Sequence, residues 1–164
     1  GPAVVGNMGS QRRFNYTMMG DNVNLGARCE SGAKAYGVYT MITGDTHEGA
    51  RAIRDDVTYR FLDRIVVKGR TLPVNVYEVI EETSRVDSTT LECIGLYADG
   101  MERYFKRDWD GALVAFTRSA GLESRQRGPG IATNPSLVLA DRCRALKYNP
   151  PDDDWDGAHI MTEK

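Results

Sequence analysis

No apolar run in this 164-residue chain approaches the roughly 20 residues needed to cross a bilayer; the longest, such as RIVVKG, are a handful. No signal peptide is visible at its start. An excess of one charge is lacking too. Twenty-one Lys and Arg face 23 Asp and Glu, a net −2, so no global field points to nucleic acid or to insertion at an anionic membrane. Cysteine is scarce: Cys29, Cys93 and Cys143 lie far apart and form no C-x-x-C pair. Such an odd, sparse set predicts reduced thiols in a cytosolic compartment. Two histidines, His47 and His159, are too few and too isolated for a histidine metal centre. Low-complexity tracts and exact repeats are also missing. What remains is 41% hydrophobic and 27% charged, the mix of a soluble globular protein of one ordinary domain or two small ones.

The polar stretch EETSRVDSTTLE has no apolar period and divides the chain. Residues 1–82 are expected to form one unit, 83–92 a linker, and 93–164 a helical tail. In the first unit Ala3 to Val5 suit a strand, GNMGS a turn with two glycines, and FNYTMM a return strand, which together predict a hairpin with a wide loop. Gly20 breaks the strand, Asp21 or Asn22 is expected to cap a helix reaching Ala35, and Gly37 to stop it. VYTMIT (38–43) reads as a strand and GDTHEGARAIR as a short helix after an acidic cap. YRFLDRIVVKG and LPVNVYEVIE read as strands joined through the KGRT hairpin. The order β-β-α-β-α-β-β predicts an α+β fold with helices on a mostly antiparallel sheet.

In the tail, LYADGMERYFKRDWDGALVAFTRSAGLE predicts two helices around KRDWDG, and PSLVLADRCRALKY a third with Leu137, Ala140, Cys143 and Leu146 on one face. Between them ESRQRGPGIATNP (123–135) reads as a mobile loop. Gly100, Tyr104, Trp109, Ala112 and Phe116 sit close to a tetratricopeptide pattern, though one unit falls short of a free-standing array and an ordinary helical hairpin on the sheet fits equally. The acidic run in NPPDDDWDGAHIMTEK reads as a solvated turn before a last short helix. At the other end the chain starts inside a strand, and the first unit is small for a self-sufficient core. Both features predict the C-terminal part of a longer polypeptide; a cloning remnant GP before an independent domain is the alternative.

Three places can carry chemistry. Asn24 and Arg28 are i and i+4 on the first helix and project from one face. An Arg fork beside an amide suits the stabilisation of charge on phosphate or ribose oxygens. On spacing alone, a solvated Arg salt bridge with Asn as filler is the commoner arrangement. Lys68, at a strand end before a hairpin, can reach a phosphate, although lysines there usually only solubilise. GNMGS could cradle a phosphate through backbone amides but lacks the Walker lysine, and a hairpin turn is the safer reading.

Joined in order, VVGNMGSQRRFNYTMMGDNVNLGARCE, YGVYTMITGDT and FLDRIVVKGRTLPVNVYEV resemble the C-terminal half of the class III nucleotide cyclase catalytic domain, over roughly residues 1 to 80. The G-D-x-V-N-x-x-x-R and V-K-G-R strings are specific together. The resemblance implies half of a ferredoxin-like α+β domain acting on ATP as a homodimer. It gives Asn24 the ribose region, Arg28 the triphosphate at the reacting centre, and Lys68 the β- and γ-phosphates. Thr17, three residues before Gly20, falls at the base-reading position, where Thr or Asp resembles adenine-selecting members. The family's two metal-binding aspartates and its adenine-reading lysine belong to its N-terminal half and have no counterpart here. Asp21, a helix cap, and Asp45, in a turn, are no substitutes. Two Mg²⁺ or Mn²⁺ ions are therefore expected to be held elsewhere. The last residues resemble the tails of bacterial cyclases whose N-terminal portion is a membrane-anchored sensor. The expected function is that of an adenylate cyclase fragment, inactive without the other half. The alternative is a non-catalytic dimerisation or nucleotide-sensing module whose helical tail binds a partner protein.

Overall fold

A computed structural model describes residues 1–10, 13–66, 72–124 and 132–161. The expected order of elements is present: β1 (Val4–Ser10), β2 (Arg13–Met19), α1 (Asp21–Ala35), β3 (Met41–Thr43), α2 (Gly44–Arg51), β4 (Val57–Val66) and β5 (Val74–Glu82). A short 3-10 turn at Thr83–Arg85 leads to three helices, α3 (Ser88–Phe105), α4 (Trp109–Leu122) and α5 (Pro135–Tyr148), and then to β6 (His159–Ile160). The fold is α+β. β1 and β2 form an antiparallel ribbon of their own, and the main sheet has the order β3-β5-β4-β6.

Alternation along β5 sorts the layers. Val76, Glu78 and Ile80 are buried on one face. Tyr77 points the other way and stacks on His47 of α2, with ring centroids 4.0 Å apart. One continuous core joins Cys29 and Ala33 of α1, Leu62, Ile65 and Val76 of the sheet, and Tyr97, Tyr104, Phe116, Leu139 and Cys143 of the three helices. The sheet and the helical tail therefore share one interior. Gly100 lets α3 and α4 approach, because a Cβ there would stand 2.6 Å from the Phe116 ring.

Local chemistry explains where the elements differ from expectation. GNMGS is not the turn: β1 runs through it to Ser10, paired with β2 from Val4↔Met19 to Ser10↔Arg13. Gly9 has φ +142, and a Cβ on it would sit 2.1 Å from the Arg13 carbonyl oxygen, so this glycine serves backbone approach inside a ribbon. The N-cap of α1 is Gly20, whose carbonyl accepts from Val23 and Asn24, while the Asn22 amide donates instead to the Pro2 carbonyl at 3.1 Å. α2 is capped by Thr43, not by an acid, and Asp45 falls in its first turn. On α5 the buried face runs through Ser136, Leu139, Ala140 and Cys143, leaving Leu137 exposed. The end of the tail is a strand, not a helix: β6 pairs in parallel with Ile65 and Val66 of β4. Gly37 does stop α1, at φ +65 and with a Cβ position 2.2 Å from the Thr133 carbonyl oxygen. The whole KGRT stretch, most of the 123–135 loop and the last three residues lie outside the described residues.

Candidate functional site

α1 is held from below and loaded from its flank. Leu25, Cys29 and Ala33, at successive one-turn steps, face the core. Gly32 admits Met41 of β3, whose sulfur lies 2.9 Å from the position a Cβ would take. Asn24 and Arg28, each one residue earlier than a core position, therefore stand together along the helix flank, Asn24 exposed and Arg28 half-buried. Arg28 has no carboxylate partner among the described residues, so the ordinary surface salt bridge does not account for it there.

Thr17 lies on the ribbon three residues before Gly20 and is exposed. It pairs across the ribbon with Gly6, where an added Cβ would meet nothing within 4 Å, so the ribbon is open beside it. Gly20, at φ +147, turns the chain from that strand directly into α1, bringing Thr17 and the Asn24–Arg28 pair onto consecutive elements. Lys68, the fourth predicted site residue, lies outside the described residues, two positions after β4 ends at Val66.

Two grooves flank this region. One, of about 430 Å³, runs between α1 and β3 and is lined by Asn22, Leu25, Cys29, Lys34, Tyr39 and Thr43 among others. The second, of about 470 Å³, lies by the start of α2 and is lined by Asp45, Glu48, Arg64 and Asn75 among others. Neither is lined by Thr17, Asn24 or Arg28, which stand on open surface. No group of three or more His, Cys, Asp or Glu side chains converges on a metal-sized site among the described residues. The described residues thus do not by themselves fit a two-metal centre. Burial pushes the thiols of Cys29, Cys93 and Cys143 up, the last to about 11, so none supplies a thiolate near neutrality.

Behind the site lie two buried polar clusters that sequence reasoning missed. Arg60 of β4 donates to Glu78 of β5 at 2.5 and 2.9 Å and to Glu123 just past α4 at 2.7 Å. Its guanidinium also lies 5.4 Å from the Tyr97 ring centre. In the second cluster the Tyr36 hydroxyl and Arg142 of α5 both donate to Asp63 of β4. The available signal was the string YRFLDR, which places Arg60 and Asp63 in a strand whose neighbours are core residues.

No family model matches the chain. It is 30% identical over 146 residues, 87% of its length, to "Adenylate cyclase, terminal-differentiation specific" of Dictyostelium discoideum, of which it spans 6%. It is 36% identical over 89 residues to "Adenylate cyclase 1" of Rhizobium meliloti (strain 1021), covering 54% of this chain and 13% of that protein. To the adenylate cyclase of Anabaena cylindrica it is 32% identical over 80 residues, 48% of this chain and 16% of that one. A solved structure, the adenylyl cyclase CyaB from P. aeruginosa, aligns with 52% of this chain and 41% of its own at 30% identity and a TM-score of 0.40. The first of these similarities is too long, within 164 residues, to avoid either the sheet or helices α3 and α4. The chain is similar in sequence to parts of adenylate cyclases, and it spans a small fraction, 6% to 16%, of the curated relatives it matches.

Proposed function

We propose that the chain supplies the ribose- and phosphate-contacting side of an adenylate cyclase site, converting ATP to cyclic AMP and pyrophosphate. The observation that carries this reading is the flank of α1, where Asn24 and Arg28 stand one turn apart and Arg28 has no carboxylate partner among the described residues. Similarity to three proteins named adenylate cyclase supports the choice of substrate. In the reaction the 3′-oxygen of ATP bonds to the α-phosphorus as the bond to the pyrophosphate oxygen breaks, and the 3′-hydroxyl proton leaves to base or solvent. Negative charge grows on the phosphate oxygens. Arg28, with five N–H donors and a permanent charge, is suited to meet it. Asn24 orients the ribose, Lys68 holds the β- and γ-phosphates, and Thr17 reads the adenine edge. The carboxylates for two Mg²⁺ or Mn²⁺ ions are assigned to a part of the polypeptide outside this chain.

The open placement of Thr17 and Asn24 supports a site completed across a homodimer. So does the ribbon β1–β2, whose Val5, Phe14, Tyr16 and Met18 are all more than half exposed. A two-stranded ribbon is marginal by itself, and a covering surface would stabilise it. The Gly100–Phe116 contact supports a single tetratricopeptide-like hairpin of α3 and α4. No helix of the described residues is long and apolar enough to cross a membrane. We place the chain on the cytoplasmic side, by its three unpaired cysteines.

Kinetics of the natural polypeptide separate the two cationic roles. Arg28→Ala should lower kcat by on the order of 10²-fold with little change in KM, since its charge is aimed at the transition state. Lys68→Ala should mainly raise KM for ATP. An unchanged kcat for Arg28→Ala would return that residue to the role of a surface cation.

A further inference from the structure

α1 carries the site residues, and its far end is tied to the helical tail. Tyr36, the first residue past α1, is only 2% exposed, and its amide caps the helix by donating to the Gly32 carbonyl at 2.9 Å. Its hydroxyl donates to the Asp63 carboxylate, which is fully buried on β4. Arg142, from the middle of α5, donates one nitrogen to that same carboxylate and another to the Tyr36 hydroxyl at 2.9 Å. The second Asp63 oxygen accepts the Arg64 amide at 2.7 Å. Three elements distant in sequence thus close a ring of hydrogen bonds, and no buried side-chain nitrogen or oxygen among the described residues lacks a partner. Burial opposes the Arg142 charge, but Asp63 and Tyr36 outweigh it and keep the guanidinium protonated.

A closed, buried, charge-assisted ring fixes geometry more stringently than apolar packing, because each donor has one acceptable position. It sits at the C-terminal end of a 15-residue helix that carries Arg28 at its midpoint and Asn24 near its N-terminus. A helix transmits displacement at one end rigidly to the other. The match to the Dictyostelium cyclase spans sheet and tail alike, so the two parts occur together in one relative.

We infer that Arg142 is a positioning residue: through Asp63 and Tyr36 it lets the helical tail set where α1 presents Asn24 and Arg28. This deepens the cyclase reading and rests on it for its functional half. The tail is then a lever on the site, and any partner that shifts α5 alters turnover.

The test uses the natural polypeptide with Tyr36→Phe, which removes one hydroxyl and keeps the ring, and Arg142→Lys, which keeps the charge and loses the fork. Amide exchange is read across residues 29–38 and across α4, alongside ATP kinetics. Exchange over 29–38 should quicken about tenfold, the loss expected for a buried bond to a charged group, while α4 stays protected. The kcat should fall by about 10-fold to 100-fold with KM within about twofold, as misplacement of a reacting geometry predicts. Unchanged exchange over 29–38, or quickened exchange with unchanged kcat, overturns the inference. A wild-type polypeptide that forms no cyclic AMP refutes the cyclase reading and the functional half with it; the exchange arm still decides whether the ring holds α1.

Discussion

Thr17 shows how one side chain can serve two readings. As a strand residue its branched side chain simply suits the pleat. Its exposure opposite Gly6, where the ribbon is open beside it, is what a base-reading hydroxyl needs. That hydroxyl can accept from an adenine amino group or donate to a ring nitrogen, so its selectivity should be real but limited. In the natural polypeptide Thr17→Val keeps the shape and removes the hydrogen bond. The ATP-to-GTP ratio of kcat/KM should fall by about one to two decades, the loss expected for one unpaired polar group. An unchanged ratio would make Thr17 a strand residue only. The G-D-x-V-N-x-x-x-R string was legible as a motif because Gly20, Asp21, Val23, Asn24 and Arg28 fall at fixed spacing along one stretch. Asp63, Arg60 and Arg142 were not legible as partners, since ion pairs that join β4 to β5, to α5 and to the residue after α4 leave no periodic mark on sequence.

Among elements, α5 was read to the residue and α4 closely, whereas α3 begins at Ser88, inside the stretch expected to be a linker; all three begin at a short polar cap. Asp87, Asp108 and Asn134 accept the amides of Thr90, Gly111 and Leu137 at 2.7–3.0 Å. The strands were read less well. GNMGS looked like a turn because glycine usually marks one, yet here the strand runs through it and Gly9 lets two backbones meet. The terminal β6 could not be foreseen, since two residues carry no pattern and its pairing depends on a distant anchor. That anchor is Trp155, whose ring lies 5.3 Å from Tyr104 and 5.6 Å from Trp109, and the Arg64–Asp156 ion pair at 3.2 Å. The α3–α4 contact gives an element-scale prediction. Gly100→Ala would gain about 1 kcal/mol of helix propensity. The new Cβ meets the fully buried Phe116 ring, and overpacking of this kind costs about 1–3 kcal/mol. The urea midpoint of the variant should fall with an unchanged slope; a raised midpoint would show that the ring moves aside freely.

For the molecule as a whole, the polar stretch at 83–92 suggested two units, and the core joins what lies on either side. Leu62, Ile65 and Val76 are covered by Tyr97, Met101 and the helices behind them, and the Arg60–Glu78–Glu123 cluster is buried between sheet and tail. Breaking such a cluster leaves an uncompensated buried charge, so neither part should survive loss of the other. Thermal unfolding of the chain should show one transition, with tyrosine fluorescence and helix dichroism coincident. Two separated transitions would make the tail an independent domain.

The central claim is that this chain is one side of an ATP-cyclising site. It is tested most directly by measuring cyclic AMP formed from Mn-ATP by the natural polypeptide and by residues 1–164 alone. The account predicts that the polypeptide forms cyclic AMP and that the isolated chain, with no convergent metal ligands among its described residues, forms none. A polypeptide that forms no cyclic AMP, or an isolated chain that turns over at about 1 s⁻¹ or faster, would contradict it.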